Sequence, residues 1–457
     1  MHVDAAGPTR RDVTTDTVAT NTAVHPPALS DVAHTLLRLG RLMLISGAAT
    51  EHVQEAVTTL AQRFGCQPRF LIFSEGMLLT LQDEREFVTK LGPTISGLKV
   101  NMKAVSELDG IVHQGLTNAP NTAAIEGQLD AIEYGGNRYP RWLVATGLGL
   151  TAASLARLFG GGLPTVAVTA LVGILSAELG ERLEAYSINP IARTATVAFL
   201  TGMIGAVLLK AFPNTSPVAC LVAAGTILIP GIPLINGMRD ALGRHIGLGI
   251  SQLALGITTV LSIVVGLLLA ASATGVMLSV GSELPRLPLF EELLFSAFAG
   301  LGLAVAFNVR LRAAWACMIC AVAGHGLRSV LMDIDVSLAI GSLAGACASA
   351  LLARVLAQHF KVSAVAFTFP GVVTLLPAPE VFRAALGGLE IVHAGAAASP
   401  SLVGATIALA LTAILVIASI AIGLSLAFAV PFPTNRLYAY QARFSSGDAS
   451  TANTDTT

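Results

Sequence analysis

"TILIPGIPLINGMRDALG", residues 226–243, closes an apolar run that begins at Pro217, and it breaks the run where a membrane helix would continue. Pro230, Gly231 and Pro233 interrupt the helix, and Asn236, Arg239 and Asp240 follow at once. A proline has no amide hydrogen and frees the carbonyl four residues back, so Pro230 is expected to release that of Thr226. Unpaired backbone groups survive in a bilayer only where protein or water satisfies them. A second stretch, "FPGVVTLLPAPEVFRAALG" at 369–387, repeats the order of an apolar residue, Pro-Gly, a second proline, an acid, an arginine and an apolar-Gly close. There Pro370 is expected to release Ala366.

The composition around these stretches sets the class. Of 457 residues 54% are apolar and 12% charged, with a mean hydropathy of +0.72, about half the charge of an average soluble chain. From Trp142 to Val430 the apolar runs are long enough to cross a bilayer core of about 30 Å at about 1.5 Å per residue. Ten spans are expected, at 142–159, 163–179, 195–211, 217–235, 249–272, 292–308, 313–327, 336–353, 362–377 and 402–429. The two interrupted stretches are then the fourth spans of two five-span halves. Five is odd, so the halves cross in opposite directions, a 5+5 inverted repeat. Pro/Gly-interrupted helices in matching positions of such a repeat point to a transporter's substrate site, since their free backbone groups suit a small zwitterion.

The reading divides the chain into a disordered tail (1–29), a small cytosolic α+β domain (30–140), a first five-span half (141–272), an outer linker (273–291), a second half (292–430) and a cytosolic tail (431–457). In the domain, Val32, Leu36, Leu39 and Met43, then Val53, Val57, Leu60 and Phe64, keep helical spacing, with Thr50 placed as an N-cap. "RFLIFS", "GMLLTLQ" and "EFVTKL", split at Glu75-Gly76 and at "DERE", read as a strand meander, and a helical stretch over 102–132 follows. Near the span ends, twelve Lys/Arg lie on the side of this domain (Arg138, Arg141, Arg182, Arg193, Arg239, Arg244, Arg310, Arg312, Arg354, Lys361, Arg436 and Arg443). Five lie opposite: Arg157, Lys210, Arg286, Arg328 and Arg383. This asymmetry places both termini in the cytoplasm.

Single residues carry two readings each. Glu178 is the deepest acid of its span and a candidate for proton coupling, or it begins the inner loop with Glu181, Arg182 and Glu184. Arg239 and Asp240, with Glu380 and Arg383 as their expected repeat mates, either gate the substrate path or anchor span ends. His325, between glycines, reads as a hydrogen-bonded histidine near the outer interface. Glu51 and Glu55 read as a solvated helix face, and Cys317 and Cys320 as small core residues. The net charge of −1 and the lack of a basic stripe exclude a nucleic-acid partner. G-x-x-x-x-G-K-[ST], H-E-x-x-H and G-x-S-x-G are all missing, which removes the common ATPase, zinc and serine hydrolase signatures. No cofactor or metal is expected.

"LLRLGRLMLISGAATEHVQEAVTTLAQRFG" at 36–65, the meander, "LIPGIPLINGMRDALG" and "FPGVVTLLP" together resemble the threonine/serine exporter family. The resemblance implies an inner-membrane protein of about ten spans with a cytosolic amino-terminal domain, exporting threonine and serine with the proton motive force. Split relatives imply dicarboxylate export as an alternative, and a membrane-embedded hydrolase is a reading from another class. Protons, the lipid bilayer and the amino acid are the implied partners, and homo-oligomerisation stays open. Pro230, Gly231, Pro233, Asn236 and Asp240 are carried over as the first motif, and Pro370, Gly371, Pro377 and Arg383 as the second. Thr374, between the last two prolines, completes the candidate substrate site, with Glu178, Arg239 and Glu380 for coupling or gating. One departure is Pro377-Ala378, where the family reads Pro-Gly.

Overall fold

The computed structural model describes residues 28–430 apart from 74–75, 85, 94–99, 136–137, 213–214, 216, 244, 277–286 and 361–363. Residues 1–27 and 431–457, most of the 273–291 linker, Glu75, Arg244, Arg286, Lys361, Arg436 and Arg443 lie outside the described residues.

The first elements are α1 (Leu29–Ile45), α2 (Thr50–Arg63), and strands β1 (Gln67–Phe73), β2 (Gly76–Gln82) and β3 (Phe87–Leu91). They follow the periodicities of the sequence. Val32, Leu36, Leu39, Met43, Val53, Val57 and Leu60 are buried, and the three strands form an antiparallel meander in the order β1-β2-β3. Phe70 pairs with Leu79, both facing α1 and α2, while Leu71 and Phe73 point outward. The helical stretch expected over 102–132 is made of two helices, α3 (Met102–Thr117) and α4 (Thr122–Tyr134). Pro120 cannot continue a helix, and the Asn121 side chain accepts from the amides of Ala123 and Ala124 to start the next. Arg38 of α1 holds α4 through Glu126 (2.5 Å), Asp130 (2.6 Å) and Glu133 (2.7 Å).

Two expectations about α2 are corrected. Ala49, not Thr50, stands at the cap position, and the Thr50 hydroxyl donates instead to Asp240, 2.7 Å away. Glu51 and Glu55 do not share a solvated face. Glu51 pairs with Arg239 at 3.1 Å, and Glu55 Oε1 is buried without a hydrogen-bond partner. Burial pushes the Glu55 carboxyl above its usual range. Beside it, His52 Nε2 lies 2.7 Å from Asp109 Oδ1. Burial pulls this imidazole down, but Asp109, with Glu55 behind it, raises it from 6.5 to about 9. A histidine raised in the fold stabilises fully below its unfolded value and loses that contribution as pH climbs through the folded one. Melting temperature should therefore fall between pH 6.5 and 9, and the fall should shrink in His52→Gln. Parallel pH profiles for the two proteins would dismiss the pair as a source of stability.

The remaining helices are α5 (Arg141–Leu158), α6 (Leu163–Glu184), α7 (Pro190–Leu209), α8 (Pro217–Thr226), α9 (Gly231–Leu242), α10 (Ile246–Thr274), α11 (Leu289–Ala306), α12 (Ala314–Asp333), α13 (Leu338–Phe360), α14 (Val365–Val373), α15 (Ala378–Ala394) and α16 (Pro400–Ala429). Among the described residues seven single helices are long and apolar enough to span a membrane. The bent pairs α8–α9 and α14–α15 bring the number to nine. α5, expected as a tenth span, is 18 residues long but carries Arg141 and Arg157 at its ends and falls outside that set. The fold is a predominantly helical, multi-pass membrane protein.

Neighbour relations recur along the bundle. α5 packs on α6, α6 on α7, α7 on α10 and α9 on α10, while α11 packs on α12, α12 on α13, α13 on α16 and α15 on α16. α8 touches α5, α6 and α7, and α14 touches α11, α12 and α13. The α1–α4 region sits against one end of this bundle. Met102 N donates to Phe307 O (2.9 Å), Asn308 Nδ2 to Asn101 Oδ1 (2.7 Å), and Tyr139 Oη to Val309 O (2.8 Å). At the same end His245 Nε2 lies 2.9 Å from Gln54 Oε1.

Candidate functional site

Both interrupted stretches are broken helices. α8 and α9 meet at 60°, and α14 and α15 at 48°. In the first, the amides of Leu228 and Ile229 donate to Gly225 O (3.0 Å) and Thr226 O (3.1 Å). Pro230 then turns at φ −76°, ψ 71°, closed by Gly231 N to Ile229 O at 2.8 Å. This is an inverse γ-turn. In the second, Leu375 and Leu376 donate to Val372 O (2.9 Å) and Val373 O (3.2 Å), Pro377 turns at φ −81°, ψ 53°, and Ala378 N reaches Leu376 O at 2.9 Å. The same turn is built twice.

This geometry corrects the sequence reading in two respects. The counterpart of Pro230-Gly231 is Pro377-Ala378, not Pro370-Gly371, so Asn236 rather than Arg239 or Asp240 falls opposite Arg383. The Thr226 carbonyl is not free either, because the amide of Ile229 takes it up in a tighter turn. Alanine serves at 378 because the turn keeps a negative φ at the proline and opens a helix at once, which asks nothing of glycine. Pro370 lies inside α14. The Ala366 carbonyl, without its usual amide, accepts from the Cys317 thiol at 3.8 Å. A Cβ on Gly371 would sit on Ser349 Oγ and 2.9 Å from Cys320 Cβ, so this glycine permits close packing of α14 on α12 and α13.

The two turns meet. A Cβ on Gly231 would lie 3.0 Å from Leu376 Cδ1 of the second turn. Beside them a void of about 20 Å³, edged by Thr226, Ile229, Ala378 and Phe382, has room for little more than one water. Small-molecule pockets run to about 300–1,000 Å³, so this void is too small to hold an amino acid. Several buried polar groups lie on the helices that the breaks join or pack against. Asn236 is buried with Oδ1 unpartnered, and Ser349 Oγ is likewise buried without a partner. Thr374 is buried, its hydroxyl 3.4 Å from Gly371 O. Glu380 stands in the first turn of α15, where the helix end favours a carboxylate. Pro233 lies in the first turn of α9, where a missing amide hydrogen costs least.

Arg328 is the residue that the sequence placed only among the charges at outer span ends. Its guanidinium donates to Leu375 O (3.0 Å) and Thr374 O (3.4 Å), capping carbonyls that the second break exposes, and it touches His325 Nδ1 at 3.0 Å. His325 is buried and lies 4.0 Å from Glu292. A planar fork aimed at two carbonyls suits a carboxylate equally well. Only its spacing from His325 on one helix face was visible in the sequence.

Asp240 and Glu178 exchange ranks. Asp240 is 5% exposed and accepts from Thr50 (2.7 Å) and Gln252 (3.4 Å). Glu178 keeps 37% of its side chain exposed beside Arg182, 3.8 Å away one helical turn on. Arg239 and Asp240 do not anchor one another. Arg239 reaches Glu51 and lies over the Phe428 ring at 5.6 Å. Among the described residues no cluster of His, Cys, Asp or Glu is arranged for a metal ion.

Comparison with known proteins gives these features a lineage. The family model "Putative threonine/serine exporter" matches residues 34–274, and a second, "Threonine/Serine exporter, ThrE", matches residues 292–430. A protein of Klebsiella aerogenes named "Probable succinate transporter subunit YjjP" is 28% identical over 236 residues, 51% of this chain and 90% of its own. Its namesake in Escherichia coli is 27% identical over 247 residues, 53% of this chain and 95% of its own. No solved structure matches. The two family models run from the first helix to the last, one through each broken pair, and the chain belongs to the threonine/serine exporter family, membrane transporters rather than enzymes.

Proposed function

We propose that the protein exports small polar amino acids, threonine and serine foremost, using the proton motive force, from a site between the breaks of α8–α9 and α14–α15. The observation that carries this reading is the pair of matching proline turns in contact through Gly231 and Leu376. Family membership supports the substrate class. The recurring helix neighbours support two five-helix halves, α5–α10 and α11–α16, inverted with respect to one another. The relatives named as a subunit match only about half of this chain, which suits two halves carried here on one polypeptide. The Lys/Arg asymmetry favours a cytoplasmic α1–α4 domain. Proteolysis of that domain in inverted but not right-side-out membrane vesicles is the expected pattern.

Counterflow of labelled threonine in proteoliposomes tests the function. Accumulation without chemical change is expected, and its failure with both threonine and serine overturns the amino-acid reading. A dicarboxylate is the second reading, favoured by the Arg328 guanidinium at the break and by the relatives' printed name, and labelled succinate in the same assay decides for it.

Asp240 is the proposed proton carrier. It is a buried acid whose partners, Thr50 and Gln252, are neutral. Asp240→Asn should lower pH-gradient-driven efflux by about 100-fold, as loss of a proton-transfer group does, and leave exchange intact. Glu178→Gln should keep coupling. The reverse pattern would return the role to Glu178.

A further inference from the structure

We propose that the cleft between α1, α3 and α4 is a binding site for a small carboxylate, and that occupancy is passed to the α11–α12 turn of the membrane bundle. The cleft encloses about 260 Å³, near the lower end of small-molecule pockets, where the breaks enclose about 20 Å³. Its floor is apolar, from Leu42, Ile45 and Ile132, and its rim carries Arg41, Lys103 and Arg138.

The charges on this rim are unevenly spent. Glu133 accepts from Arg38 and from Arg41, the latter at 3.2 Å. Burial pushes its carboxyl up, but these two guanidiniums prevail and hold it below the usual carboxylate range, so it stays ionised and engaged. Arg41 keeps a buried Nε–H with no hydrogen-bond partner. Among the described residues Lys103 pairs with Glu107, at 4.0 Å, beyond hydrogen-bond reach. The cleft also opens on the start of α3, a 16-residue helix whose Asn101 cap binds Ala104 N and whose positive end favours an anion. A carboxylate on Arg41 and Lys103, with a short carbon chain over Leu42 and Ile132, satisfies donors that the protein leaves unused.

The same turn of α3 holds the membrane bundle. Asn101 accepts from Asn308, Met102 N donates to Phe307 O, and Glu107 pairs with Arg310 at 3.6 Å. Glu107 is thus shared between Lys103 and Arg310. A carboxylate that takes Lys103 leaves Glu107 to Arg310 and tightens the hold on the residues before α12.

Titration calorimetry of the full-length protein in neutral detergent, with succinate and with glutamate as probes, tests the site. At least one should bind, and succinamide, of the same shape without charge, should not. Lys103→Gln and Arg41→Lys should each weaken binding by about tenfold, the effect of one charge-assisted contact, whereas Arg328→Gln should not, which separates this cleft from the breaks. Hydrogen exchange of the 307–313 amides should slow when succinate or glutamate binds the parent and stay unchanged in Lys103→Gln. Lys103 is on the rim, so its variant should melt as the parent does. Binding of neither probe, equal affinity for succinamide, or loss in Arg328→Gln alone overturns the proposal.

Discussion

Replacing Pro230 and Gly231 together with alanine should reduce transport by about 100-fold, the effect of misplacing a binding geometry by about an ångström, and leave a protein that folds and melts no lower than the parent. In a helix interior proline costs about 3 kcal/mol and glycine about 1 kcal/mol relative to alanine, so the segment gains at 230 and 231, a gain that Pro233 offsets in part by leaving Ile229 O without a helical amide. Restored amides would take the Thr226 and Ile227 carbonyls into ordinary helical bonds and erase the turn closed by Gly231 and Ile229. The new methyl at 231 meets Leu376 Cδ1 at 3.0 Å and Val373 Cγ2 at 4.0 Å, both ends of side chains. Pro377→Ala should act likewise on the second turn, because that proline occupies the equivalent place. Pro370→Ala/Gly371→Ala should behave differently. Its added methyl falls on Ser349 and Cys320, so it should lower the melting temperature. Counterflow beside thermal melts separates these outcomes. Normal transport in either turn variant would detach the breaks from function, and unfolding of both would reduce them to structural kinks.

That contrast shows what the residues disclosed and what they hid. The apolar runs and their interruptions were plain, since hydrophobic length and proline chemistry act locally. The meander was equally plain from its alternation, and Phe70 pairs with Leu79 as that pattern requires. The pairing of the breaks was misread because "FPG" at 369–371 copies the letters of "IPG", whereas the turn depends on which proline falls where the helix can be left. Thr50 looked like a cap because its partner Asp240 lies far along the chain, and Glu55 looked solvated because a neighbour such as Asp109 is brought beside it only by the fold. Arg328 was read only as an outer span-end charge, since the carbonyls it caps become available only once α14 ends early. α5 is long enough to cross, and the charges that set it apart from the other apolar helices, Arg141 and Arg157, stand at its two ends in ion pairs with Glu181 and Glu291.

Gly302→Leu should abolish the folded protein. α5 and α11 cross where Gly147 and Gly302 face one another, and these helices join the two sets of neighbours. A Cβ on Gly302 would fall on the Gly147 carbonyl and the Thr151 hydroxyl, and one on Gly147 would lie 2.9 Å from the Gly302 carbonyl. Both carbonyls belong to the backbone, so the helices themselves must part. Within hydrocarbon, helices associate through such close backbone approach rather than through exclusion of water, and small residues make it possible. Overpacking a core costs about 1–3 kcal/mol where side chains yield, and here the backbone would have to yield. Separation would also break the Thr151 hydroxyl's bond to Ala299 O at 3.4 Å. Gly404→Leu is the matched control, on α16 where a Cβ meets nothing within 4 Å. Size-exclusion profiles in detergent and melting curves should show Gly404→Leu close to the parent, Gly302→Ala destabilised and Gly302→Leu aggregated. A monodisperse Gly302→Leu with the parent's melting temperature would mean that α5 and α11 do not cross at these glycines.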